Sequence, residues 1–255
     1  MILGEILAQQ IERRLGVKVE RKLNLGGTLL AHQALTSGSI DLYPEYTGTA
    51  LTAILKLETS NDASAVLDRV RTEYRNRWRI EWLDPLGFNN TFAMVVRPAD
   101  TPGITTLSEA AARKKPWKMG VGYEFITRPD GLAGLQKTYN LPLAGAPISM
   151  DLGLLYKALS QGQVDIVAGN RTDGLIASMG LKVLEDGRRY FPPYQAAVAV
   201  RQEALATHQG LREALAELSG RFTDDTMQRL NNQVDGEHRA IREVARAFLD
   251  GAATR

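Results

Sequence analysis

Ala34-Leu35-Thr36-Ser37-Gly38-Ser39-Ile40-Asp41-Leu42 returns at a constant offset of 124 residues as Ala158-Leu159-Ser160-Gln161-Gly162-Gln163-Val164-Asp165-Ile166. Alanine, leucine, glycine and aspartate are identical, and most other positions are conservative. Each copy reads as the end of a helix, a glycine stop and a short buried strand. A polar loop then opens another helix, at Thr47-Gly48-Thr49 in one copy and at Thr172-Asp173-Gly174 in the other. One reading is two similar α/β lobes; the other is that any helix–glycine–strand unit has this form. In open α/β sheets ligands sit beyond the carboxyl ends of the strands. That places the loops around Tyr46 and Asn170 at a binding edge, with helix starts that suit a carboxylate.

Outward from the repeat, helix and strand signals alternate. Ile2, Leu3, Ile6, Leu7, Ile11 and Leu15 recur at helical spacing and end at Gly16. Val17–Leu23 alternates and is predicted to be a strand, parallel to the strand near Ile40–Tyr43. Residues 61–80 are predicted to be helical, with Val66, Leu67, Val70 and Tyr74 on one face. Thr91–Val96, Met119–Gly122, Val164–Ala168 and Ala196–Val200 read as strands, and the chain beyond Gln202 as helices. Thr106-Leu107-Ser108-Glu109 is a capping box.

Bulk properties narrow the function. The 255 residues suit one large domain or two lobes. With 31 basic and 29 acidic residues, charge gives no ground for nucleic-acid binding. No cysteine is present, which excludes disulfides and thiolate chemistry. No run is long enough to span a membrane, and Met1–Glu5 lacks signal-peptide features. Disorder is expected only in the Gly251–Arg255 tail. His32, His208 and His238 are far apart, without a partner pattern, and are expected at the surface. No Walker, Gly-x-Ser-x-Gly or His-Glu-x-x-His motif occurs. No catalytic residue, metal site or cofactor is expected, and an enzyme is not.

Asp41-Leu42-Tyr43-Pro44-Glu45-Tyr46-Thr47-Gly48-Thr49 resembles the signature of the glycine betaine/choline/carnitine-binding proteins of osmoprotectant ABC importers. Asn89–Phe92, Glu124–Gly131, Thr172–Gly174 and Phe191–Tyr194 fit the same family in the same order. The resemblance implies a bilobal periplasmic-binding-protein fold of type II, two α/β lobes joined by hinge strands near Phe92–Val96 and Tyr194–Val200. Lobe one would comprise residues 1–94 and 196–255, and lobe two residues 95–195. A membrane permease would be the partner and the location extracytoplasmic. The rival readings are the effector-binding module of a regulator and a family member that binds nothing.

The resemblance also implies site residues. Tyr46 and Tyr194 match cage tyrosines for a methylated ammonium, and Phe92 matches a ring position that is commonly tyrosine. Aromatic faces suit such a cation because it cannot donate an N–H hydrogen bond. Thr49 matches a hydroxyl donor and Arg128 the carboxylate-binding arginine, whose planar fork suits that group. A salt bridge to Asp130 or Glu124 is the alternative for Arg128. Asn90 is a polar cleft position. Asn170 stands where the family usually has a tyrosine, and Tyr123 is an extra aromatic that would compensate. The initial strand and loop of family members are not seen before Ile2, so a first strand is expected to be missing. That leaves an exposed sheet edge open to dimerisation or swapping.

Overall fold

The computed structural model describes residues 1–251. The expected disorder of the tail beyond Gly251 lies outside the described residues. In chain order the elements are α1 (Ile2–Leu15), α2 (Thr28–Thr36), β1 (Leu42–Tyr46) and α3 (Thr47–Thr49), which runs into a π-helical turn over Ala50–Ile54. Then come α4 (Ala63–Trp78), β2 (Ile80–Trp82), β3 (Phe92–Val96), α5 (Leu107–Ala111), β4 (Met119–Val121), α6 (Tyr123–Thr127) and α7 (Leu132–Tyr139). β5 (Ile148–Ser149), α8 (Leu152–Ser160), β6 (Ile166–Asn170), α9 (Leu175–Ser178), β7 (Lys182–Leu184) and β8 (Ala196–Arg201) follow. The chain closes with α10 (Gln202–Thr207), α11 (Leu211–Ala216), α12 (Asp224–Asp235) and α13 (Ile241–Leu249).

The chain divides into two compact units, Met1–Asn90 with Pro193–Arg255, and Thr91–Pro192. The crossings fall a few residues before 94/95 and 195/196, where the sequence placed them. The reason is that β3 belongs wholly to the second unit's sheet and β8 wholly to the first.

Unit 1 is built on a three-stranded antiparallel sheet in the order β1-β8-β2. β8 is apolar from Ala196 to Val200 because both of its faces are covered. Ala196, Val198 and Val200 point into a core with α1, α11, α12 and α13, whereas Ala197 and Ala199 point into a second core with α4. α4 presents Val66, Leu67, Val70 and Tyr74 to the interior, the face its periodicity predicts. His32 packs edge-on to Tyr74 and Trp78 and is half-buried, not at the surface as expected, because α2 lays it against this aromatic cluster.

Val17–Leu23 is not a strand. β1 takes its one strand partner from β8, so no ladder is available to this segment, and alternation without a paired neighbour does not make a strand. Side chains hold it instead. The Val19 N–H donates to the Glu12 carboxylate at 3.0 Å, and the Arg21 guanidinium bridges Glu5 and Glu12. The predicted parallel pair is therefore absent and β1 is an edge strand. A cavity of about 530 Å³, lined by α1, residues 17–26 and β1, lies along that edge.

Unit 2 has a five-stranded mixed sheet in the order β5-β4-β6-β3-β7. β4 runs parallel to β5 and β6, and β3 antiparallel to β6 and β7. The capping box opens α5 as predicted, with both Thr106 and Glu109 side chains engaged.

The sequence repeat is a structural repeat. α2 and α8 end in the same manner, with Ser39 and Ile40 N–H groups on the Ala34 carbonyl and Gln163 and Val164 N–H groups on the Ala158 carbonyl. Gly38 and Gly162 then turn through the left-handed region, at φ 77° and 72°, where a side chain would be strained. β1 and β6 follow at equivalent positions. Asp41 is bridged by Arg201 at the end of β8, and Asp165 by Arg97 just beyond β3.

Candidate ligand-binding site

In unit 1 the expected residues gather at the carboxyl end of β1. Tyr46 ends the strand half-buried, with its ring edge-on to Phe88 at 6.2 Å between centroids. Its N–H donates to the Glu45 carboxylate at 2.7 Å. Burial, with Glu45 next to it, raises the pKa of the Tyr43 hydroxyl, which donates to the same carboxylate. The Thr47 hydroxyl donates to the Pro193 carbonyl and accepts the Gln195 N–H, both at 3.1 Å, tying the turn to the start of β8. A methyl on Gly48 would come within 2.7 Å of the Pro193 carbonyl oxygen and 2.8 Å of the Tyr194 ring. Tyr194 thus rests on a bare backbone and is only 2% exposed. Its N–H donates to the Asn89 side chain at 2.6 Å, and its carbonyl accepts the Asn90 N–H at 3.1 Å. Thr49 is buried in the first turn after Tyr46, and Asn90 is half-buried. Tyr46, Thr49, Asn90 and Tyr194 therefore all lie in unit 1, with Asn90 and the Gly48 turn meeting at Tyr194. Tyr194 falls in unit 1 and not in lobe two, because Pro193 begins the returning chain.

In unit 2 the centre is Phe92, which the sequence boundaries had put in lobe one. It opens β3 directly opposite Asn170, the last residue of β6. Its ring meets Phe125 edge-on at 4.9 Å and Phe191 at 5.7 Å. The Arg128 guanidinium lies 5.1 Å from the Phe92 ring centroid. Of the two alternative partners, Asp130 takes the Arg128 side chain. Nε and Nη2 donate to the two carboxylate oxygens at 2.9 and 2.6 Å. The pair is buried, not on the surface, at 8% and 1% exposure. The Tyr190 hydroxyl braces the same loop by donating to the Gly131 carbonyl at 2.8 Å. Burial, and then the Asp130 charge, push its pKa up to about 12, so it stays a donor at neutral pH.

Asn170 is held by Asp173, whose Oδ2 accepts its backbone N–H at 2.9 Å and its amide at 3.4 Å. The buried Tyr156 hydroxyl donates to the same oxygen at 2.6 Å, with its pKa raised by burial and by Asp173. Tyr123 opens α6 at the same end of the sheet but is 67% exposed, outside the Phe92–Arg128 group. Sequence reading missed Tyr156, Asp173 and Tyr190 as supports. Only the Asp173 of the Thr-Asp-Gly motif carried a signal. Among the described residues no group of three His, Cys, Asp or Glu side chains could hold a metal.

Residues 1–251 match the family described as the substrate-binding domain of the ABC-type glycine betaine transport system. The chain belongs to that family. It is 34% identical over 252 residues to the carnitine transport binding protein OpuCC of Listeria monocytogenes, covering 97% of this chain and 82% of that one. It is 32% identical to the ergothioneine transport permease/ergothioneine binding protein EgtU of Helicobacter pylori, covering 98% of this chain and 45% of the relative. A solved structure of a glycine betaine/carnitine/choline ABC transporter shares 31% identity with a TM-score of 0.82, over 98% of this chain and 93% of that one. The fold is that of the type II periplasmic binding proteins, and the family binds substrates without transforming them. Membership decides for the importer component over the regulator module. Such binding proteins take small quaternary ammonium compounds and work with a membrane permease. No helix among the described residues is long and apolar enough to cross a membrane.

Proposed function

We propose that the chain captures a zwitterionic quaternary amine outside the cytoplasm and presents it to its permease. The observation that carries this is the Phe92 ring beside the Arg128 guanidinium, 5.1 Å apart. A betaine needs an aromatic face for its cation and a cationic donor for its carboxylate; unit 2 brings the two residue types together, with the guanidinium over the Phe92 ring and its Nε and Nη2 on Asp130. Tyr46, Thr49 and Asn90 supply the contacts of unit 1, with Tyr194 buttressing them. Tyr123, exposed at the start of α6, is the aromatic available to complete the cage where Asn170 does not. The chain crosses between the units at 90/91 and 192/193, before β3 and β8 begin, so neither strand is a hinge. The edge of β1 is a further place where two copies can associate.

The test is thermal unfolding against glycine betaine, choline, carnitine, proline betaine, ergothioneine and ordinary amino acids. A ligand at 100 times its dissociation constant stabilises the fold by about 2.7 kcal/mol. A selective shift by one or more quaternary amines is expected. A shift by ordinary amino acids alone would overturn the reading.

A further inference from the structure

The amide of Asn170 has a fixed orientation. Three donors converge on Asp173 Oδ2: the Tyr156 hydroxyl, the Asn170 N–H and the Asn170 amide, at 2.6, 2.9 and 3.4 Å. That oxygen is an acceptor, so the side of the amide facing it must be the NH2 group. The carbonyl oxygen of Asn170 is therefore turned away from Asp173. Little slack remains in the support, because Tyr156 is buried and its hydroxyl packs against Gly169, where an added methyl would lie 2.0 Å from it. Asn170 is itself half-exposed and stands across from Phe92 in the β3–β6 ladder. An aromatic face and an oriented carbonyl oxygen thus share one end of the sheet.

We infer that Asn170 selects for a quaternary amine bearing a hydrogen-bond donor, a hydroxyl or an N–H, close to the cationic centre. A ring here would offer only a face to the methyl groups. The carbonyl oxygen does less for a fully methylated ammonium but accepts a hydrogen bond from a neighbouring donor. This inference rests on the betaine-like ligand proposed above. Asp173 and Tyr156 are the positioning residues.

Calorimetric titration with L-carnitine and with γ-butyrobetaine, which lacks only the hydroxyl, tests it. The wild-type protein is expected to bind carnitine about tenfold more tightly, the size of one net hydrogen bond. Asn170→Leu should bring that ratio close to one. Asp173→Asn, which can donate as well as accept, should lower it by releasing the amide. A wild-type ratio near one, or a ratio that survives in Asn170→Leu, overturns the inference and leaves the betaine reading standing. Failure of carnitine, γ-butyrobetaine, choline and glycine betaine all to bind overturns the betaine reading and this inference with it.

Discussion

Tyr46 and Asn170 close equivalent five-residue strands, 124 residues apart, each after a helix and a left-handed glycine. Tyr46 lies opposite Ala196 in the β1–β8 ladder, and Asn170 opposite Phe92 in the β3–β6 ladder. The ring is on the closing residue in unit 1 and on its cross-strand partner in unit 2. Tyr46→Ala should therefore lose one cation–π contact, roughly 2- to 30-fold in affinity for a quaternary amine. Tyr46→Phe, which keeps the ring face, should lose less in the same titration.

Arg128 and Asp130 are both buried and share two hydrogen bonds. Arg128→Ala leaves a carboxylate buried without that partner and should cost about 3–5 kcal/mol in urea unfolding. Adding Asp130→Ala should recover part of the loss. Additive losses would show that the pair is not coupled. In Arg128→Lys the fork is gone but the charge remains, and carnitine affinity should fall more than that of choline, which has no carboxylate.

Gly48 lies under the Tyr194 ring and the Pro193 carbonyl. Gly48→Ala must move one of them. The expected cost is about 1–3 kcal/mol in thermal unfolding, with weaker binding of any ligand that shifts the melting temperature. An unchanged melting temperature would mean that the turn has slack.

Acid should loosen the tether between α1 and residues 17–23. Hydrogen bonds from Arg21 hold the Glu12 carboxyl down at about 2, against an ordinary value of 4.5. Burial pushes the Glu5 carboxyl up, but bonds from Arg21 and Gln9 outweigh it, and its pKa is also lowered. As pH falls the unfolded chain takes up these protons first. The contribution is fully present above about pH 4.5 and is lost on the way to about pH 2. The melting-temperature gap between wild type and Arg21→Met should narrow across that window. A constant gap would assign the Arg21 effect to packing.

Much of this was legible because local pattern and tertiary need agreed. β6 up to Gly169 and β8 up to Val200 are buried, uncharged runs because covered strands must be, and α4 shows its buried stripe plainly. β2, β5 and β7 have only two or three residues each, too few for any period to register. Val17–Leu23 had the period but no partner strand, a fact of tertiary structure. In the site, Arg128 and Asp130 lie two residues apart, and the sequence offered their pairing as one of two options. Tyr156 on α8 and Asp173 in the loop after β6 are 17 residues apart, and only folding brings the hydroxyl to that carboxylate.

The place of β8 at the centre of the first sheet bears on how the chain is made. Its neighbours β1 and β2 leave the ribosome more than a hundred residues before it, whereas Thr91–Pro192 is one uninterrupted stretch. Vectorial synthesis therefore completes the middle of the protein first. The opening ninety residues wait, apolar faces uncovered, for the strand that joins them. A chain cut short just before Ala196 would carry the whole of the second unit and only part of the first.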